Sequence, residues 1–499
     1  MTFFCIAAII SAISGLLVLE QTQAGQFMLS RPFFSATIFG LICGCPMEGT
    51  ALGIAFELIY AADLPLGGNV PPNALAGAAA AVLAANAGMQ EGLAFFYGMA
   101  FAWAYSRADV KLRHMRSGWN IYAAEQIMAG KPRINVWIAR SLAADFLAMF
   151  IAVLAAGMGA MLLCNGIAFP SFINAGAKFV YSLIPVIGLS MLYFRFKNNL
   201  SLYNYSAVRE SGKIFPEIGP CPPGFPVRKT FFRLFMLQAV WNFERLQNFG
   251  FLYSLMPFLK ETYKTFSGLN EAMARNFAKI NTNPMLGGLL AGAAMRMEKD
   301  YSSGKADLKR VGQLKPSLAS AAAAAGDGLF WARLRPVSMQ AGLAVCLICG
   351  YTYWLFGSAY EASPVSGLKA IAGPAFAVLA FAVPACIMRW RALKAGLCGN
   401  EENLLGLKLA CPERLKFSLD LLGFIFSIAL LIEVFVFFFI KTRQMDFSPR
   451  QTASRLILIL AMLVLGRYAG KGLPLQTAVL ALFIAALVFS ALGLPLYLF

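Results

Sequence analysis

The feature that most restricts this chain is a series of long apolar runs, several without a single charge, each cut short by glycine, proline or a burst of lysine and arginine. Such runs occupy residues 2–19, 136–163, 178–194, 337–356, 368–388, 417–440 and 475–499, with a shorter one at 456–468. About 20 apolar residues in a helix cross the roughly 30 Å hydrocarbon core of a bilayer. A charged fraction of 13%, against the roughly 25% usual in soluble domains, leaves no room for a water-facing coat on so long a chain. An all-α integral membrane protein follows, and its 499 residues exceed one ordinary domain. The formal net charge of +18 predicts a basic cytosolic face able to meet anionic lipid or an acidic partner. Nucleic-acid binding would explain the charge and not the hydropathy, so none is expected.

The first run could pass for a signal peptide. No lysine or arginine precedes it and no A-x-A site follows, so it reads as a retained membrane helix. The segments at 33–45, 50–61 and 92–105 are too short to cross comfortably. Between them lie Asp63 to Asn73, rich in Gly and Pro, and an Ala/Gly-rich stretch at 74–88. Broken apolar segments of this kind predict re-entrant hairpins, because irregular backbone survives at membrane depth only where it is buried or lines a polar cavity. Glu57 sits within one of them, as Glu433 does within a later run. Two readings of Glu57 are open: an ionisable group kept in the membrane for function, or an interfacial carboxylate reaching for water. Arg107–Arg133 is basic enough to be placed in the cytosol.

Around Gly219-Pro-Cys-Pro-Pro-Gly-Phe-Pro226 the texture changes to one that forms neither helix nor central strand. The expected organisation is a helical unit over residues 1–200, a Pro/Gly-rich linker over 201–228, and a second helical unit over 229–499 that includes amphipathic interfacial helices.

The second unit opens on Trp241-Asn242-Phe243-Glu244-Arg245-Leu246-Gln247-Asn248. Read as a helix from Thr230, it gathers Gln238, Trp241, Glu244, Arg245 and Asn248 within one sector of roughly 120°. A carboxylate and amides exchange hydrogen bonds with hydroxyls, and an indole face stacks on sugar C–H groups. The alternative is a surface stripe that meets only water. Downstream, Asp327 is placed to cap a helix that begins after it. The cysteines lack zinc spacing and partner histidines, and His114 is the one histidine in the chain, so neither a metal nor a cofactor is expected.

These residues carry a resemblance. The first unit resembles the C subunit, and the second the D subunit, of mannose-family permeases of the bacterial phosphoenolpyruvate-dependent sugar phosphotransferase system (PTS). The first likeness rests on Arg31-Pro32, Gly40, Gly44, Gly49, Glu57, and Gly67-Gly68 before Pro71-Pro72-Asn73. The second rests on Trp241 to Asn248, Asn281-Thr-Asn-Pro284, Gly326-Asp327, Leu329-Phe-Trp331 and Arg335-Pro336. C and D subunits are usually separate chains; here they are fused. Ala319-Ser-Ala-Ala-Ala-Ala-Ala325 replaces a Gly/Pro-containing run of the family, which predicts a more helical segment.

The resemblance implies a multi-pass protein of the bacterial inner membrane that forms a hexose channel and works as a homo-oligomer, by family a trimer. Its partners would be the hexose, membrane lipid, and cytosolic IIA and IIB phosphocarriers. It would move a mannose-, glucose-, fructose- or amino-sugar-class substrate and would not phosphorylate it, since no IIA- or IIB-type sequence is present. The expected substrate-binding set is Glu57, Asn69 and Asn73 facing Trp241, Asn242, Glu244, Arg245, Gln247 and Asn248, with Asp327 added; no catalytic residue is expected. A landing zone for IIB is expected among Arg228, Lys229, Lys260, Lys264, Lys305, Lys309, Arg310 and Lys315, ordinary positive-inside topology being the alternative. An uncoupled sugar facilitator or sensor, or a docking scaffold, are the other functions in view.

Overall fold

The computed structural model describes residues 2–61, 63, 68–210, 217–305, 307–349, 364–399, 407, 412–444, 448–469 and 471–492. Gly67 and the ends of the expected runs at 350–356 and 493–499 lie outside the described residues, as do the side chains of Lys309 and Arg310. All named elements among the described residues are helices: α1 (Phe3–Thr22), α2 (Pro32–Cys43), α3 (Pro46–Ile59), α4 (Ala74–Asn86), α5 (Glu91–Met128), α6 (Ile134–Gly166), α7 (Ser171–Leu200) and α8 (Tyr205–Glu210). There follow α9 (Val227–Leu234), α10 (Asn248–Thr262), α11 (Phe266–Asn276), α12 (Gly287–Ser302), α13 (Leu308–Gly326), a π-helical segment (Asp327–Leu334), α14 (Arg335–Ile348), α15 (Pro364–Cys398), α16 (Glu413–Gln444), α17 (Pro449–Ala469) and α18 (Leu475–Ala491).

Six helical stretches among the described residues are long and apolar enough to cross a membrane: α1, α6, α7, Lys369–Cys398 in α15, Glu413–Val436 in α16 and Gln451–Ala469 in α17. The chain is a multi-pass membrane protein. Helices α2, α3 and α4 have only 12, 14 and 13 residues, about 20 Å each at 1.5 Å per residue. Helices α2 and α3 pack as a hairpin beside α4.

The C-terminal helices pack back onto the N-terminal part of the chain. Helix α7 is wrapped by α16, α17 and α18. The contact is close because small residues stand at it: a Cβ on Gly466 would lie 2.5 Å from the Ser190 side chain, and Ser190 Oγ donates to the Leu463 carbonyl at 2.8 Å. Small residues and hydroxyls are what hold helices together where lipid removes the hydrophobic drive. Asp420 of α16 adds a polar tie, accepting from Asn199 (2.8 Å), Tyr203 (2.8 Å) and Arg333 (2.7 Å). Glu433 lies on the exposed side of α16.

Two local expectations are corrected. The stretch from Thr230 to Gly250 is not one helix. It is helical to Leu234, runs as turns, and resumes helix at Asn248. Val240 (φ 59°) and Leu246 (φ 59°) are left-handed, a conformation that breaks a right-handed helix. The Asn242 side chain favours the break: its amide donates to Val240 O (3.1 Å) and its oxygen accepts from Arg245 N (2.9 Å), local bonds that compete with the helical ladder. Nor does Asp327 cap a helix start, because right-handed backbone runs from α13 through the π-helical segment into α14.

Candidate functional site

A cavity of about 170 Å³ opens between the N-terminal helices and the segment that begins at Gln238. A single water needs roughly 10–15 Å³ by the same measure, so the space has room for a small polyol. Its wall takes Arg31, Asn69 and Asn73 from the N-terminal side and Trp241, Gln247, Asp327, Trp331 and Arg335 from the C-terminal side, with Asp109, Arg113 and Arg116 from the middle of α5.

Sequence and packing explain how each element arrives there. Asn73 caps α4, accepting from Ala76 N (3.1 Å), and its amide donates to Gln21 Oε1 of α1 (3.2 Å). Asn69 is exposed on the preceding loop. Glu57 stands behind the wall at 2% exposure and grips Arg31 through both oxygens, at 2.7–3.2 Å. Its place is to orient an arginine that lines the cavity; a carboxylate engaged in this way has little left for a ligand. Arg335, at the start of α14, donates to the carbonyls of Ala61 (2.8 Å) and Asp63 (3.2 Å). A cation is favoured at the C-terminal end of a helix such as α3, and this one fastens the two sides of the cavity together.

The Trp241–Asn248 stretch is drawn into a knot. Asn242 and Asn248 are fully buried and bonded to each other (3.1 Å). Asn120 of α5, also fully buried, donates to Asn242 Oδ1 and Glu244 Oε2, both at 2.9 Å, and accepts from Asn248 Nδ2 at 2.9 Å. Gln247 forms a two-way pair with the Thr282 backbone, 2.7 Å to its carbonyl and 2.9 Å from its amide. Glu244 and Arg245 form a half-exposed ion pair at 3.4 Å, outside the cavity. Trp241 does line the cavity, yet Arg113 covers its ring at 4.7 Å and Phe243 meets it edge-on at 5.2 Å. Of the ten residues expected to bind substrate, the structure brings Asn69, Asn73, Trp241, Gln247 and Asp327 to one wall. Glu57, Asn242, Glu244, Arg245 and Asn248 stand outside it.

The cavity also recruits residues that the reading of Arg107–Arg133 as a basic cytosolic segment passed over. Asp109, Arg113, Arg116 and Asn120 fall on one face of α5 at spacings of four, three and four residues, a helical stripe legible in the sequence. Asp109 holds Arg113 through two bonds of 2.9 Å. Arg116 pairs with Asp145 of α6, which also accepts from Gln23. Buried charges are tolerated when paired in this way.

Asp327 is placed by a close approach. A Cβ on Gly326 would lie 2.4 Å from Asn283 Cβ; with glycine there, Asn283 Nδ2 reaches Asp327 Oδ1 at 2.8 Å. Burial raises the Asp327 carboxyl above the usual range, against the opposing effect of the Asn283 bond.

Comparison with known proteins adds the family. Residues 4–201 match the family described as the PTS system sorbose-specific IIC component, and residues 226–350 match the PTS system mannose/fructose/sorbose family IID component. The chain belongs to the mannose family of PTS permeases. It joins a IIC-type and a IID-type region in one polypeptide. Among curated relatives of the IID-type region are the fructose permease IID component of Bacillus subtilis, 33% identical over 24% of this chain, and the mannose-specific EIID component of Escherichia coli, 28% identical over 24%. The chain spans less than half the length of these relatives, 46% and 44%. A solved chain from a complex of the mannose transporter ManYZ with microcin E492 aligns at 18% identity, covering 56% of this chain and 99% of that one, with a TM-score of 0.30. A score that low carries no argument here.

Proposed function

We propose that this chain is the membrane-translocating component of a phosphoenolpyruvate-dependent sugar phosphotransferase system, carrying a hexose across the bacterial inner membrane for phosphorylation by a separate IIB protein. The proposed division is a IIC-type unit over 1–200, a linker over 201–228 and a IID-type unit over 229–499. The observation that carries the reading is the polar cavity walled by both regions, in a multi-pass protein whose relatives are PTS membrane components. Ligand sites at the junction of two helical units, lined by broken segments, are how many transporters hold a substrate near the membrane midplane. The wall offers hydrogen-bonding groups of both polarities and indole rings, which is the chemistry hydroxyl-rich rings require. Phosphoryl transfer is assigned to partners, and the surface proposed to receive IIB includes Arg228, Lys229, Lys260, Lys264 and Lys305, all exposed. Lys315 is removed from that set, being buried beside Glu298 at 3.6 Å.

Membrane vesicles containing the chain, loaded with cognate IIA and IIB proteins and phosphoenolpyruvate, should convert external hexose to internal hexose phosphate. Entry of unmodified sugar without the relay would instead mark an uncoupled facilitator, and no uptake under either condition would mark a scaffold.

A further inference from the structure

The cavity has two tryptophans in its wall, and the structure treats them differently. The Trp241 ring carries Arg113 at 4.7 Å and the edge of Phe243 at 5.2 Å, and the arginine is itself locked to Asp109. A sugar ring could reach that face only by displacing a paired guanidinium. Trp331 is half-buried and lines the same cavity. Its one ring contact among the described residues is a near-parallel arrangement with Phe381 of α15, centroids 6.0 Å apart and planes at 12°. Its indole N–H has no hydrogen-bond partner among the described residues.

Four residues earlier on the same π-helical segment stands Asp327, also in the cavity wall. Asn283 occupies its Oδ1, while Oδ2 has no hydrogen bond among the described residues. The four-residue spacing sets the two side chains on one side of the segment, since a π-helical turn is longer than an α-helical one. A carboxylate oxygen and an indole N–H, both without a partner among the described residues, and an indole ring set against a second aromatic therefore fall within one turn.

Resting on the permease reading above, we infer that Trp331 is the stacking platform and Asp327 the hydroxyl acceptor of the sugar site, and that the ligand is a neutral pyranose bound by its apolar ring face and an adjacent hydroxyl. The Phe381 ring fixes the platform from behind, so the indole loses little freedom when sugar arrives. A carboxylate oxygen accepts a short, charge-assisted bond from a hydroxyl, and with Oδ1 held by Asn283 the Oδ2 of Asp327 is the oxygen kept for it. Trp241, in contrast, serves as a tile that closes the wall between α5 and the IID-type region.

The test uses the full chain in lipid nanodiscs, titrated with D-mannose, D-glucose, D-fructose, L-sorbose and N-acetyl-D-glucosamine, with calorimetry for affinity and tryptophan fluorescence for the environment of the platform. Trp331→Leu should weaken binding of the best sugar at least tenfold, Trp331→Tyr should recover most of that affinity, and Asp327→Asn should weaken binding at least fivefold. The fluorescence change that sugar produces in the parent should lose most of its amplitude in Trp331→Tyr, which remains able to bind and keeps Trp241 in the wall. Thermal melting of the same samples identifies a variant that has lost its fold; Trp331→Tyr, which keeps an aromatic ring against Phe381, carries the spectroscopic test regardless. Parental affinity in Trp331→Leu, or a sugar-induced fluorescence change of undiminished amplitude in Trp331→Tyr, would overturn the platform assignment and leave the permease reading standing. Failure of the parent itself to bind any of these sugars would contradict the hexose reading, and the assignment with it.

Discussion

Two polar stretches of the IID-type region border the same cavity and use their polar atoms in opposite ways. Between Trp241 and Asn248 the amides are spent on the protein: Asn242, Asn248 and their partner Asn120 from the IIC-type region satisfy one another in full burial. Between Asp327 and Arg335 the helix widens, Asn283 takes one carboxylate oxygen, and the other oxygen and the Trp331 ring are left to the cavity. A dense polar motif thus serves as a clasp where its groups are consumed and as a grip where they are spare. The number of polar residues in a motif does not separate the two; the hydrogen-bond accounting does.

If the first stretch is a clasp, Asn242→Ala should be the most damaging change. It removes four hydrogen bonds and leaves the buried Asn248 Oδ1 without its donor, at a cost of about 1–3 kcal/mol for that orphaned acceptor. Thermal melting in detergent should show the loss, and Asn120→Ala combined with Asn242→Ala should cost less than the sum of the two single changes. Full stability in Asn242→Ala would show that the knot holds nothing.

If the second stretch is a grip, Asp327→Asn should keep the melting temperature within the scatter of the parent while hexose uptake at low sugar concentration falls at least fivefold. Equal loss of stability and uptake would place Asp327 with the clasp.

Glu298 of α12, which is not among the candidate spans, is buried with Arg275 at 2.8 Å and Asn276 at 2.8 Å. Burial works to raise its carboxyl, but the bond from Arg275 and the charges of Lys315 and Arg275 outweigh burial and hold it below the ordinary value of 4.5. A depressed carboxyl contributes stability that is present above that ordinary value and is lost as pH falls through the folded one. Melting temperature should therefore drop on acidification below about pH 4.5, and Glu298→Gln should be less stable at neutral pH and flatter across that window. A parental slope in the variant would assign acid sensitivity elsewhere. The smallest effect belongs to the rim: Glu244→Gln, on a half-exposed ion pair, should change stability by no more than about 0.5 kcal/mol.

The sequence revealed the membrane class and the breaks between α2, α3 and α4, because apolar runs and Gly/Pro punctuation report directly on the cost of burying backbone. It also pointed to the resemblance later shown by the family matches at 4–201 and 226–350. It did not reveal the knot. The helical period places Gln238, Trp241 and Asn248 together by assuming regular backbone, whereas Val240 and Leu246 take left-handed φ in response to bonds from Asn120, Thr282 and Ile280, contacts remote in sequence. The stripe of Asp109, Arg113, Arg116 and Asn120 was legible, but its net positive charge drew it toward the cytosolic loop reading. Which oxygen of Asp327 is free could be known only once Gly326 and Asn283 were seen in contact.

The most direct test is a cryo-electron microscopy structure of the full chain in nanodiscs with the hexose that binds best. The account predicts ring-shaped density in the cavity between Asn73 and Asp327, over Trp331, with Asn120, Asn242 and Asn248 bonded as they are here. Sugar density elsewhere, or against Asn242 and Asn248 with the knot opened, would contradict it.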